Sequence, residues 1–251
     1  MVTALARGLD LLRAFGPGDE YLGNAELAKR TGLPRPTVSR LTSTLMQLGY
    51  MRYSPELEKY RLGPAVLALG YRYLVNVGVR HVARPLMQAL ADAANCTVTL
   101  ATADGLEMTY LEVCASSGPW ILRIEVGARV PMVSTAVGRA YLAGLPQAER
   151  EALLPRLRDH YGARWPQFEP GLQKALNDYA SHGYCIAEGE WERNVSAVAV
   201  PIVLKKGSEV MAFSGGGPSL RLPRTVLERE LAPRLRELVT AVKAQIEGQD
   251  F

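Results

Sequence analysis

The stretch AELAKRTGLPRPTVSRL, Ala25 to Leu41, leaves the first part of this chain little conformational freedom. Leu27 and Ala28, then Val38 and Leu41, recur at helical spacing on either side of Gly32, so two short helices meet at a turn that needs glycine. Ala28 is small where two crossing helices approach, and Leu33 belongs to the same core. Pro34 and Pro36 fall where missing backbone donors cost least, which starts the second helix between them. Arg35, squeezed before Pro36, is pushed from the helical region and precedes the first regular turn. From there Val38, Leu41, Leu45 and Leu48 carry the helix to Gly49. Leu5, Leu9, Leu12 and Phe15 predict an earlier helix that ends at Gly16-Pro17-Gly18, and Asn24 is a suitable cap for the next. Together these features predict a helix-turn-helix.

Charge indicates what such a unit faces. Residues 1–64 hold nine Lys and Arg against six Asp and Glu, most of the formal +4 of the whole chain. No acid lies between Glu26 and Glu56, an interval containing Lys29, Arg30, Arg35, Arg40 and Arg52, so a polyanion can lie along it without repulsion. With Val38, Leu41 and Leu45 inward, the helical phase turns Arg35, Pro36, Ser39, Arg40, Ser43 and Gln47 outward, toward the major groove of double-stranded DNA. Arg suits guanine edges, Ser and Gln suit several bases, and the hydroxyls of Thr37 and Ser39 suit phosphate. Tyr50 to Tyr53, the turn Ser54-Pro55-Glu56 and Lys59 to Leu62 predict a hairpin wing. Arg52, Lys59 and Arg61 on it either flank the groove as phosphate contacts or are simply solvated.

A chain of 251 residues favours two domains. With 48% hydrophobic and 22% charged residues it is a folded chain, which excludes wholesale disorder. Cys96, Cys114 and Cys185 are scattered and odd in number, pointing to a reducing compartment, and no leader or membrane-spanning run is evident; a cytoplasmic location is expected. Ala65 to Val79 is apolar on two faces, Val66, Leu69 and Tyr73 on one and Leu67, Tyr71 and Leu74 on the other. Either a second subunit buries one face or the helix docks within its own chain. The expected division is a DNA-binding unit at 1–64, a linking helix at 65–80 and a second domain at 81–251.

The second domain reads as α+β, an antiparallel sheet with helices against it. Strands are expected at Thr97 to Ala103, Glu107 to Val113, Leu122 to Val126, Tyr184 to Ala187, Val195 to Leu204 and Glu209 to Ser214. Turns at Ala103-Asp104-Gly105 and Lys206-Gly207-Ser208 join neighbours. Helices are expected at Leu86 to Ala94, Ala136 to Leu142, Gln147 to Leu157, Leu172 to Ser181 and Arg224 to Ile246. In VPMVSTAVGRAYLA, Ser134 or Thr135 can cap a helix whose first free amides belong to Ala136, Val137 and Gly138. That is either a carboxylate site or an ordinary capped helix packed closely through Gly138.

The sequence from about Ala4 to Ile246 resembles the IclR family of bacterial transcriptional regulators, named after the isocitrate lyase regulator. The resemblance rests on the helix-turn-helix stretch, YRLG at Tyr60 to Gly63, VPMVSTAVGRAYLA, HGY at His182 to Tyr184 and VAVP at Val198 to Pro201. It implies a winged helix-turn-helix, a linking helix that pairs subunits, and a GAF-like effector domain. It also implies homodimers, often assembled into homotetramers, that bind palindromic operators and repress or activate adjacent genes, without a metal or cofactor. By the same resemblance the effector pocket would use Arg123, Met132, Ser134, Thr135, Ala136 and Val137, the segment from Cys185 through Glu188 to Glu190, and Ala197 and Ser214. This chain keeps only Glu188 and Glu190 where relatives often carry a run of acids, and has Gly216 in place of a second pocket hydroxyl. Fewer polar groups and more room favour an aromatic or other bulky carboxylic acid over a very small, highly polar one.

Two other functions compete. An enzyme needs a nucleophile, base or metal constellation, and His81, His160, His182 and the cysteines show no such spacing. An architectural DNA-binding protein would use its second domain for assembly alone, and would have no need of open amides at a helix start.

Overall fold

The computed structural model describes residues 2–118, 122, 124–204 and 209–248. The chain divides into two compact units, Met1–Asn76 and Val77–Phe251.

In the first unit, α1 (Thr3–Arg13), α2 (Asn24–Thr31) and α3 (Arg35–Gln47) precede a hairpin of β1 (Met51–Ser54) and β2 (Lys59–Leu62), followed by α4 (Pro64–Val75). Leu11, Leu22, Leu27, Val38, Leu45 and Met51 form its buried core, with Ala28, Leu33 and Leu41 packed against it. Gly32 ends α2 at φ +69°, the left-handed conformation that the tight turn requires. A bridge from Leu22 to Tyr60 adds a third short segment to the wing, its two backbone hydrogen bonds each 2.8 Å.

Two local expectations are corrected. Gly23, not Asn24, precedes the first turn of α2, and its N–H donates to the Glu26 carboxylate at 2.7 Å. That frees the Asn24 amide to donate to Ser39 Oγ at 2.8 Å, tying α2 to α3. Arg35 is the first residue of α3 rather than a residue before it, because Pro36 then falls among the initial amides that have no intrahelical acceptor anyway.

The second unit opens with α5 (Gly78–Ala94), followed by β3 (Thr97–Asp104), β4 (Glu107–Ala115), β5 (Arg129–Pro131), α6 (Ala136–Gly144) and α7 (Gln147–Tyr161). After one 3-10 turn come α8 (Trp165–His182), β6 (Cys185–Glu188), β7 (Val195–Val203) and β8 (Val210–Pro218). A short α9 (Arg224–Val226), a π-helical turn (Leu227–Leu231) and α10 (Ala232–Glu247) complete it. The six strands form one antiparallel sheet in the order β5-β4-β3-β8-β7-β6. α5 and α10 pack on one side of the sheet, α6 and α8 on the other, which is the α+β architecture expected.

Several boundaries differ from expectation. The helix expected to run to Val79 stops at Val75, where the Asn76 side chain donates to the Arg72 carbonyl at 2.7 Å and Val77 is non-helical. α5 therefore begins at Gly78 and passes through Pro85, well before Leu86. The described part of Leu122 to Val126 is not a strand; β5, three residues paired with β4, takes the sheet edge instead. The helix expected from Arg224 is interrupted by the π turn just ahead of Pro233, whose missing N–H suits the restart of α10. The turn at Lys206-Gly207-Ser208 lies outside the described residues.

Candidate DNA-reading surface and ligand cavity

On α3, Val38, Thr42 and Leu45 are buried, while Arg35, Pro36, Ser39, Arg40, Ser43 and Gln47 are exposed and Thr37 is half-buried. Thr42 takes an inward position that periodicity does not assign to a polar residue. Its hydroxyl donates to the Val38 carbonyl at 3.0 Å, so burial leaves it satisfied. Among the described residues, no ion pair engages Arg35, Arg40 or Arg52. These three guanidiniums are open to an anion.

The other basic residues of the unit have partners. Arg30 is held by Asp19 and donates to the Ala14 carbonyl at 2.8 Å, which joins α2 to the end of α1. Lys59 lies 3.5 Å from Glu26, and the Arg61 guanidinium sits over the Tyr21 ring, 5.8 Å from its centroid. Both are half-buried rather than free on the wing, whereas Arg52, paired in register with Arg61, is exposed. The partners Glu26 and Tyr21 lie well upstream in sequence, which is why the charge pattern alone did not separate these residues.

The second unit contains a half-open cavity with about 460 Å³ of empty space, its mouth included. It lies between the start of α6 and the sheet. Thr135 is the cap of α6: its Oγ1 accepts from Gly138 N–H at 3.2 Å and donates to the Pro131 carbonyl at 2.7 Å. The amides of Ala136 and Val137 meet no protein acceptor among the described residues. Ser134, almost fully buried, also lines the cavity with its hydroxyl unpartnered there. Gly138 makes this geometry possible, because a Cβ at that position would collide with the Met132 backbone.

Of the residues expected at the pocket, Ser134, Thr135, Ala136, Val137, Ala197 and Ser214 line the cavity. Met132, Cys185 and Glu188 do not. Met132 is buried in the core beneath the turn, and the Cys185 thiol donates to the Ala175 carbonyl of α8 at 3.3 Å. Glu188 faces outward and pairs with Arg224 at 3.0 Å. Arg123 lies outside the described residues. Gly216 also lines the cavity, and a Cβ there would lie 2.9 Å from that of Ala197, so any side chain at this position would crowd the neighbouring strand.

Sequence reasoning missed Thr97, Thr99, Tyr110 and Trp191, all of which line the cavity. A β-bulge hid Tyr110. Ala101 pairs with Tyr110 and Leu100 with Glu112, so Leu111 is the extra residue. The face presented by β4 changes there: Tyr110 lines the cavity, while Glu112 turns to α5 and is held by Arg80 at 2.7 Å and by Arg84.

The wall also carries a charged pair. Arg139, one turn into α6, is only 1% exposed; it donates to the Val133 carbonyl at 2.8 Å and to both carboxylate oxygens of Glu190. Glu190 lines the cavity, so its charge faces any ligand already offset by Arg139. Burial pushes the thiols of Cys96 and Cys185 up to about 12, which keeps them neutral. Among the described residues, no group of His, Cys, Asp and Glu could hold a metal ion, and no helix is long and apolar enough to cross a membrane.

A winged helix-turn-helix with open arginines, followed by an α+β unit with a half-open cavity at a helix start, defines the class of two-domain DNA-binding transcriptional regulators. Residues 4–55 match the IclR helix-turn-helix domain, and residues 71–244 match the C-terminal domain of bacterial transcriptional regulator IclR. The chain belongs to the IclR family of bacterial transcriptional regulators. It is 35% identical over 248 residues to the HTH-type transcriptional regulator TsaQ1/TsaQ2 of Comamonas testosteroni, covering 98% of this chain and 89% of that one. A solved IclR family regulator from Brucella abortus superposes with a TM-score of 0.90 at 46% identity, covering 98% and 92% of the two chains. An IclR homologue from Microbacterium hydrocarbonoxydans, solved in complex with 4-hydroxybenzoate, shares the fold at a TM-score of 0.76 and 22% identity, covering 98% and 100%.

Proposed function

We propose that this regulator binds a palindromic operator as a homodimer, itself assembled into a tetramer, and that a small carboxylic acid in the cavity alters its hold on DNA. The observation that carries the ligand reading is the start of α6. There two backbone amides without acceptors and the buried Ser134 hydroxyl open into one cavity. Amides and the helix dipole both favour an anion at that point. Around it Ala136, Val137, Ala197, Ile124 and Trp191 offer apolar surface, which supports an acid with an aromatic or bulky body. The occurrence of this fold in complex with 4-hydroxybenzoate is compatible with such a ligand.

On the DNA side, Arg35 and Arg40 with Ser43 and Gln47 form the surface that enters the major groove, and Arg52 contacts phosphate from the wing. The ligand acts by binding one arrangement of the DNA-binding units better than another, since equal affinity for both would shift nothing. Calorimetry of the full-length protein with an effective acid and its neutral primary amide tests the carboxylate. The acid should bind at least about tenfold more tightly, a difference of about 1.4 kcal/mol. Equal affinity would overturn the assignment. A ligand that binds yet never changes operator affinity would favour the architectural reading instead.

A further inference from the structure

The sheet face beneath α6 carries hydroxyls that the carboxylate reading leaves unused. Thr97 is engaged, donating to the Leu122 carbonyl at 3.1 Å. Thr99 and Ser214 lie 2.7 Å apart on neighbouring strands, so one donates to the other and the second keeps a hydrogen to give. Tyr110 is only 4% exposed, lines the same cavity, and its hydroxyl meets no partner among the described residues. Burial raises its ionisation further, so it remains a neutral donor at any physiological pH. With no protein partner, that phenol is free to bond whatever the half-open cavity holds.

We propose that this regulator selects carboxylic acids that carry a hydroxyl on the part of the ligand remote from the carboxylate, with Tyr110 and the Thr99–Ser214 pair reading that hydroxyl. The proposal rests on the carboxylate occupying the start of α6. Tyr110 donates to the ligand hydroxyl oxygen, and the ligand hydroxyl in turn donates to a lone pair of Thr99 or Ser214. Sites built to hydrogen-bond a ligand hydroxyl reject the analogue that lacks it far more strongly than apolar pockets reject a missing methylene.

The test is calorimetry of the full-length chain with benzamide, benzoate and the three monohydroxybenzoates. At least one hydroxy isomer should bind about tenfold or more tightly than benzoate, and Tyr110→Phe should bring that ratio of affinities close to one. Thr99→Val is the second variant, expected to reduce the same preference without touching the phenol. If benzoate binds better than benzamide but no isomer exceeds it, this proposal falls and the carboxylate site stands. Equal weakening of benzoate and hydroxybenzoate by Tyr110→Phe also overturns it. Should benzoate bind no better than benzamide, both readings fall.

Discussion

Arg30 and Arg40 lie ten positions apart in the same acid-free interval, yet they do different things. Arg30 is closed off by Asp19 and the Ala14 carbonyl, whereas Arg40 stands exposed on α3 without an ion-pair partner among the described residues. Arg40→Ala should weaken operator binding by about 1–3 kcal/mol if it reads a base, with the melting temperature unchanged, as fluorescence anisotropy and thermal unfolding would report. An affinity unaltered across a salt series would remove Arg40 from the interface. Arg30→Ala should instead lower the melting temperature of the N-terminal unit. The hydrogen bond from Arg30, and then that from Gly16 N–H, hold the Asp19 carboxyl below its ordinary value. A lowered folded value means a contribution present above the ordinary carboxylate range and lost as pH falls through the folded value. Asp19→Asn should therefore flatten the acid limb of the stability profile measured by thermal unfolding. Asp19 is a surface group, so the effect is small. The buried cysteines give a further check: with Cys96 and Cys185 held up to about 12, the native protein should resist a thiol reagent at neutral pH that labels it rapidly in urea. Labelling of all three thiols in the native state would contradict their burial.

At the scale of elements, the start of α6 is the most constrained feature of the second unit. Its path depends on Gly138 passing the Met132 backbone and on Arg139 gripping Glu190 across fifty-one positions of sequence. Gly138→Ala should cost about 1–3 kcal/mol, toward the upper end because the obstructing atoms are backbone, and a melting curve measures it. Ala136 belongs to the buried cluster and also lines the cavity, so Ala136→Trp fills the cavity from its wall. It should abolish the response to acid while operator binding without ligand stays as in the wild type. Loss of DNA binding in that variant would mean the cavity mutation unfolds the protein or that the two units are not separable. Much of this element was legible beforehand, since VPMVSTAVGRAYLA names the cap, the open amides and the small residues. What could not be read were the partners: neither the bulge at Leu111 that sends Tyr110 to the cavity nor the pairing of Arg139 with Glu190 has a local signal. Both arise from register and from residues brought together across the fold.

The whole molecule poses the question of assembly. α4 has no buried residue within the chain, and Leu67, Leu69 and Tyr71 are 76%, 55% and 63% exposed. Exposed apolar residues on one helix are better explained by a second subunit than by solvent. Sedimentation should find at least a dimer, and footprinting should find two half-sites about 10 base pairs apart, one turn of the duplex. Replacing Leu67, Leu69 and Tyr71 together by Ser should shift the protein toward monomer and weaken operator binding. A wild-type monomer that binds one half-site with full affinity would refute dimeric recognition.

The sequence by itself determined the helix-turn-helix, the inward and outward faces of α3, and the capped start of α6, because each follows from periodicity, glycine and proline geometry, and capping within a dozen residues. Only the tertiary structure decided which charges stay free and which residues face the cavity. Glu26 takes Lys59, Tyr21 takes Arg61, and Glu190 takes Arg139, while Cys185 and Glu188 turn away and Thr97, Thr99 and Tyr110 turn in. The physical reason is that a side chain's partner is set by strand register and helix packing over long separations, which a local pattern does not encode.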